Sequence, residues 1–190
     1  KDIANLVEGV SKLGKLKYRG NERHVESLRK FFVSIANDMR VVILKLADRW
    51  HNLETLQYLP PNKQERIALE SIMIHAPLAS RLGMGKLVIT INDLAFPYAY
   101  PSEYEKTRKL MDYKLKRADD TITKMYRGLL RHLSDDLGKT PKIDKRVKGT
   151  YSLWRKLERK NWNEDEIFDL VALRVITDNV GDCYQALGSV

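Results

Sequence analysis

The sequence predicts a mainly α chain that passes into an incomplete α/β unit. Two patterns predict it. Apolar residues recur at helical spacing from Asp2 to Leu137. After Pro141 that period gives way to a β-α-β-α order within about 50 residues, too few strands for the usual sheet of about five to six. At 190 residues and 43% hydrophobic the chain can bury one sizeable core, or one domain and part of another. With 31% charged residues and a mean hydropathy of −0.43, it holds no apolar run near the ~18 residues of a membrane span.

Asp2 to Leu13 carries Ile3, Leu6, Val7, Val10 and Leu13 at helical spacing, with Gly14 as a stop. A basic loop follows over Lys15 to Asn21. His24 to Ala36 repeats the period through Leu28, Phe31, Phe32 and Ile35. Asn37 and Asp38 offer an N-cap for a helix from Met39 to about Leu59, which Pro60 and Pro61 end. Asn62 is expected to cap a helix over Lys63 to Leu82 that Pro77 kinks. Gly83 and Gly85 punctuate, Lys86 to Leu94 reads ambiguously, and Pro97 and Pro101 bound a Tyr-rich connection. Ser102 and Glu105 form a capping box for a long helix to Leu137, closed by Gly138.

Beyond Pro141, Lys142 to Lys148 alternates weakly and Tyr151 to Arg159 is amphipathic. Ile167 to Ile176 is apolar and β-branched, and Asp182 to Val190 opens a further helix. The expected division is 1–101, a connecting helix over 102–140, and 141–190.

The net charge of +9 is uneven. Glu105 to Lys160 holds 18 Lys/Arg against 8 Asp/Glu, and the remainder 16 against 17. Such a concentrated field attracts a polyanion, either nucleic acid, an acidic partner or a polyphosphate nucleotide. Few aromatic residues interleave with it and no RNA-binding signature is present, so an RNA-binding module is the weaker alternative. Cys183 is the single cysteine, and Lys1 opens no signal-peptide pattern. A reducing cytoplasm is therefore expected.

Two stretches carry candidate chemistry. On the helix from Met39, Asp48, Asn52 and Thr55 stand at i, i+4 and i+7, with Ile43, Leu46, Ala47, Trp50 and Leu53 read as the opposite, packed face. A carboxylate, an amide and a hydroxyl together suit a hard cation and a hydroxylated ligand. Downstream, Arg146, Lys148, Ser152 and Lys156 place guanidinium and ammonium groups and a hydroxyl on a strand and the following helix, a set that suits a triphosphate. Asp169 then reads as a lone acid inside an apolar strand, costly to bury unless paired or metal-bound. Arg174, five residues on, has the opposite strand parity.

The run Arg40-Val41-Val42-Ile43-Leu44-Lys45-Leu46-Ala47-Asp48-Arg49-Trp50-His51-Asn52-Leu53-Glu54-Thr55-Leu56 resembles a signature of the RelA/SpoT homologue family, which makes and destroys the alarmone (p)ppGpp. Leu6 to Leu13 before it and Ala76-Pro77-Leu78-Ala79-Ser80-Arg81-Leu82-Gly83 after it extend the likeness. Arg146-Val147-Lys148 through Ser152 to Lys156 matches the family's synthetase motif.

The resemblance implies a helical His-Asp-type hydrolase domain followed by an incomplete nucleotidyltransferase-like synthetase domain. It makes Asp48 a catalytic Mn²⁺ ligand, with Lys45, Asn52 and Thr55 at the guanosine nucleotide and Arg49 flanking the pocket. It makes Asp169 a catalytic Mg²⁺ ligand, with Arg146, Lys148, Ser152, Lys156 and Arg174 on ATP. The implied reactions are removal of the 3′-pyrophosphate of (p)ppGpp and transfer of the β,γ-pyrophosphoryl group of ATP to the 3′-hydroxyl of GDP or GTP. Ribosome or regulator contacts are expected through regions outside these residues.

No His-Asp dipeptide occurs in the chain, whereas the family carries one upstream of its Leu-Val-Glu-Gly-Val segment. The 190 residues alone are therefore expected to be inactive, and a regulatory pseudo-hydrolase coupled to a synthetase is the alternative reading.

Overall fold

In the computed structural model, the structure describes residues 6, 7 and 38–190. Leu6 and Val7 are helical, as read. The rest of that first helix, the basic loop and the helix over His24 to Ala36 lie outside the described residues. The chain divides into two compact units, one up to Tyr104 and one over Glu105–Val190.

The first unit is all helical. Helix α1 (Met39–Glu54) starts where Asp38, in an extended conformation, accepts a hydrogen bond from the Arg40 backbone N–H at 2.9 Å. That bond satisfies one of the N–H groups a helix start leaves without a partner. The helix ends five residues earlier than the sequence reading, at Glu54, and a 3₁₀ turn over Leu56–Tyr58 leads into the prolines. Helix α2 (Pro61–Glu70) has Pro61 rather than Asn62 at its start, since proline's fixed φ and missing N–H suit the first helical position.

The kink expected at Pro77 takes the form of a π turn over Ser71–His75, followed by α3 (Ala76–Arg81). Proline has no N–H for the carbonyl four residues back and its ring crowds that carbonyl. The wider turn, in which Ala76 N–H reaches Ser71 O, relieves the conflict. Gly83 at φ +73° closes α3, with Met84 N–H bonded to Ala79 O at 2.9 Å.

Helix α4 (Gly85–Ala99) is continuous, with Pro97 inside its last turns, so the expected Tyr-rich connection shrinks to Tyr100. The core joins Val42, Leu46, Leu53 and Leu56 to Ala68, Leu78, Ile91, Ala95 and Phe96, all buried. Tyr104 meets Phe96 edge-on, ring centres 5.5 Å apart.

Helix α5 (Pro101–Leu137) begins one residue before the proposed capping box, with Tyr100 O accepting from Tyr104 N–H. Its 37 residues span about 55 Å at 1.5 Å each. In the second unit it supports β1 (Lys142–Val147), α6 (Thr150–Arg159), β2 (Val171–Ile176) and α7 (Val180–Ser189). Leu110 packs with Leu153, Leu157, Ile167 and Leu170 in one buried cluster. Leu133 packs with Ile143 and Ala186 in another.

The strands pair antiparallel, Lys142 opposite Ile176 and Val147 opposite Val171. Ile143, Val171, Leu173 and Val175 belong to the apolar clusters, while Asp144, Arg146 and Arg174 sit on the other ladder face. A bend over 160–170, with Asn161 and Trp162 at φ +50° and +59°, returns the chain to β2. The second strand is thus shorter than the apolar run Ile167 to Ile176, because the ladder ends at Val171.

Candidate functional sites

The first candidate lies on α1. Lys45, Asp48 and Asn52, at spacings of three and four, share a face. Lys45 Nζ donates to Asp48 Oδ2 at 2.7 Å and Asn52 Nδ2 to Asp48 Oδ1 at 3.3 Å. The Asp48 side chain is 45% exposed and that of Lys45 15%. Thr55 does not join them: it caps the helix, its Oγ1 donating to His51 O at 3.1 Å.

Of the packed face the sequence reading assigned to α1, Leu46 and Leu53 are buried and the other three residues are not. Val42, Leu46, Arg49 and Leu53 form the inward line, whereas Ile43, Ala47 and Trp50 are exposed. Arg49 turns into the core, where its Nη2 meets Glu70 Oε1 at 2.6 Å. Both side chains are buried, and Arg49 Nε has no hydrogen-bond partner among the described residues.

Beside the pair sits His75, also buried, its Nδ1 3.3 Å from Glu70 O. Burial foremost, then the charge of Arg49, pushes the His75 pKa down to about 3, so the ring is neutral. Sequence reasoning missed Glu70 and His75. The available signal was a single acid in the stretch Ile67-Ala68-Leu69-Glu70-Ser71-Ile72, which a packed helix tolerates only with a partner.

Among the described residues no three His, Cys, Asp or Glu side chains gather where a metal ion would be held. A protein-held divalent ion needs several oxygen or nitrogen ligands, and Asp48 supplies one carboxylate. The described residues therefore do not fit a complete hydrolase metal centre.

The second candidate lies at the open end of the β1–β2 ladder. Lys148 N–H extends the pairing by one bond, to Leu170 O at 2.9 Å, and places Asp169 just beyond it. Gly149 then starts α6, whose third residue is Ser152 and whose second turn carries Lys156. Lys148 Nζ lies 2.6 Å from Asp169 Oδ2 and Lys156 Nζ 2.5 Å from Oδ1.

Asp169 is not buried inside a strand, as expected from sequence, but is 55% exposed two residues before β2 begins. Hydrogen bonds first from Lys148 and then from Lys156 hold its carboxyl well below the usual carboxylate range. Arg146 lies opposite Ala172, and Arg174 opposite Asp144. Both arginines share one ladder face, and Lys148, two residues after Arg146, continues that parity. Ser152 is half-buried in the first turn of α6, where the helix dipole favours an anion.

Mg²⁺ is commonly held by one or two carboxylates together with substrate phosphates. Asp169 fits that requirement, and bound Mg²⁺ would supply charge neutralisation to a polyphosphate there.

A helical unit with an acid-amide face is thus followed by a strand-helix-strand with a paired lysine cluster. Residues 1–85 match the HD domain and residues 145–190 match the region found in RelA/SpoT proteins. A guanosine-3′,5′-bis(diphosphate) 3′-pyrophosphohydrolase of Spiroplasma citri is 40% identical over 190 residues, covering 100% of the chain and 25% of the relative. One from Aquifex aeolicus is 37% identical over 188 residues, 99% of the chain and 27% of the relative. A GTP pyrophosphokinase of Streptomyces coelicolor is 40% identical over 188 residues, 99% of the chain and 22% of the relative. The chain belongs to the RelA/SpoT family, and it spans about a quarter of the length of these relatives.

Proposed function

We propose that these residues are the inner part of an enzyme of alarmone metabolism with two separate sites. One, in the helical part, removes the 3′-pyrophosphate of (p)ppGpp with Mn²⁺. The other, in the second unit, transfers the β,γ-pyrophosphoryl group of ATP to the 3′-hydroxyl of GDP or GTP with Mg²⁺. The domain division proposed with it is 1–101 for the hydrolase, 102–140 for the connecting helix and 141–190 for the start of the synthetase. Relatives named for hydrolysis and relatives named for synthesis align along nearly all of the chain, which supports a protein with both activities.

The observation that carries the reading is the meeting of Lys148 and Lys156 on Asp169. Two ammonium groups against one carboxylate leave a net positive charge where a helix N-terminus also faces, which is a polyphosphate site rather than a structural ion pair. Phosphoryl transfer asks a protein mainly for positioning and charge neutralisation, and these groups supply both. In the hydrolase part, Asp48 and Asn52 present an acceptor and an amide at the surface, and Lys45 offsets negative charge beside them. The remaining hydrolase ligands are proposed to lie outside the described residues.

The natural full-length protein tests this. Incubated with ppGpp and Mn²⁺ it should release pyrophosphate and GDP. With ATP, GDP and Mg²⁺ it should form ppGpp and AMP. Chromatographic separation of the nucleotides reads both, and absence of both reactions from folded protein would refute the proposal.

A further inference from the structure

We infer that the buried Arg49–Glu70 ion pair sets the rotation of α1 about its own axis, so that the Lys45–Asp48–Asn52 face is presented outward; its consequence for activity rests on the hydrolase reading above. Two apolar lines run along α1 one residue apart. Val42, Leu46 and Leu53 face inward with Arg49 between them, and Ile43, Ala47 and Trp50 face solvent. Adjacent residues of a helix lie about 100° apart. Rolling α1 by that angle would bring Ile43, Ala47, Trp50 and Glu54 inward in place of Val42, Leu46, Arg49 and Leu53, again three apolar residues and one charged one, and would carry Asp48 away from its present position. Hydrophobic burial alone therefore does not select the observed rotation.

The Arg49–Glu70 contact does select it. Arg49 Nη2 reaches Glu70 Oε1, on α2, at 2.6 Å, across 21 residues of sequence. In the rolled helix the guanidinium would leave Glu70 buried without a counter-charge, an arrangement far costlier than the pair. His75 is neutral at this site and cannot substitute for Arg49.

The pair is also a poor choice for stability as such. Two desolvated charges seldom outdo well-packed apolar residues, and Arg49 Nε is left without a partner among the described residues. Specifying one register over a competing one is the best-attested use of such buried polar groups. Arg49 and Glu70 are thus positioning residues, acting through Asp48 and Asn52.

The test uses the full-length protein labelled with 5-fluorotryptophan, the Trp50 resonance being assigned by Trp50→Phe. In the double variant Arg49→Leu/Glu70→Leu the Trp50 resonance should shift or split, because the helix no longer has one preferred rotation. Hydrolysis of ppGpp should fall at least tenfold, while ATP-dependent synthesis stays within twofold and the melting temperature holds or rises. An unchanged Trp50 resonance in the folded double variant would overturn the inference, as would unchanged hydrolysis. If the wild-type protein shows no hydrolysis, the hydrolase reading fails by itself, and the Trp50 resonance alone decides the register role. Should the double variant not fold, Glu70→Gln takes its place with the same resonance criterion.

Discussion

Lys156 Nζ lies 2.5 Å from Asp169 Oδ1, although the two residues belong to a helix and to the return bend that follows it. With Lys148 on the other carboxylate oxygen, the acid is doubly paired while still reachable from solvent. Replacing Lys156 or Lys148 by Ala in the full-length protein should lower ATP-dependent ppGpp synthesis by at least tenfold, an effect of about 1.4 kcal/mol or more on the barrier. Hydrolysis should be unaffected. Initial rates at varied ATP check this.

His75 makes stability fall on mild acidification. Its pKa is about 3 in the fold against an ordinary 6.5, so between these values the unfolded chain binds a proton that the folded chain does not. Stability is whole above pH 6.5 and declines as pH falls towards 3, by up to about 1.4 kcal/mol per pH unit. The groups facing the ring are Arg49, Lys45 and the Glu70 backbone carbonyl. Urea unfolding of wild type and His75→Gln between pH 4.5 and 7.5 should show a flatter dependence in the variant.

Loss of the α1 cap should be modest and local. Asp38→Ala removes the acceptor for Arg40 N–H and the paired contact to the Arg40 guanidinium, 2.7 Å at its closest. A cost of about 1 kcal/mol is expected for the cap, with little from the exposed ion pair. Chemical denaturation measures it.

In the second unit the apolar cluster, not the surface aromatics, carries stability. Leu153 is fully buried among Leu110, Leu157, Ile167 and Leu170. Leu153→Ala should cost about 2–5 kcal/mol. Phe168 is 87% exposed, and Phe168→Ala should stay within about 0.5 kcal/mol. Thermal melts of both variants compare them.

Helix positions were largely legible from the sequence, because period, prolines and cap residues act locally. The long helix to Leu137 and its stop at Gly138, φ +63°, are examples. What local pattern could not decide was α1's inward face. Ile43, Ala47 and Trp50 look like a core line until Glu70, distant in sequence, is known to hold Arg49 inside.

The same limit applies to Asp169. Composition made Ile167 to Ile176 one strand, but strand length is set by the partner, and β1 ends at Val147 opposite Val171. The π turn at Ser71–His75 needed the tertiary fold as well, since proline alone allows a kink, a break or a wider turn. Motif spacing did single out Lys148 and Lys156, and the lone acid in an apolar run singled out Asp169, before their meeting was visible.

The central claim is that two chemistries occupy two separate sites, and crossed variants of the full-length protein test it most directly. Asp48→Asn should abolish Mn²⁺-dependent ppGpp hydrolysis and leave ATP-dependent synthesis intact, while Asp169→Asn should do the reverse. If either substitution removed both activities from a protein that remained folded, or if Asp48→Asn hydrolysed ppGpp at the wild-type rate, the account would be contradicted.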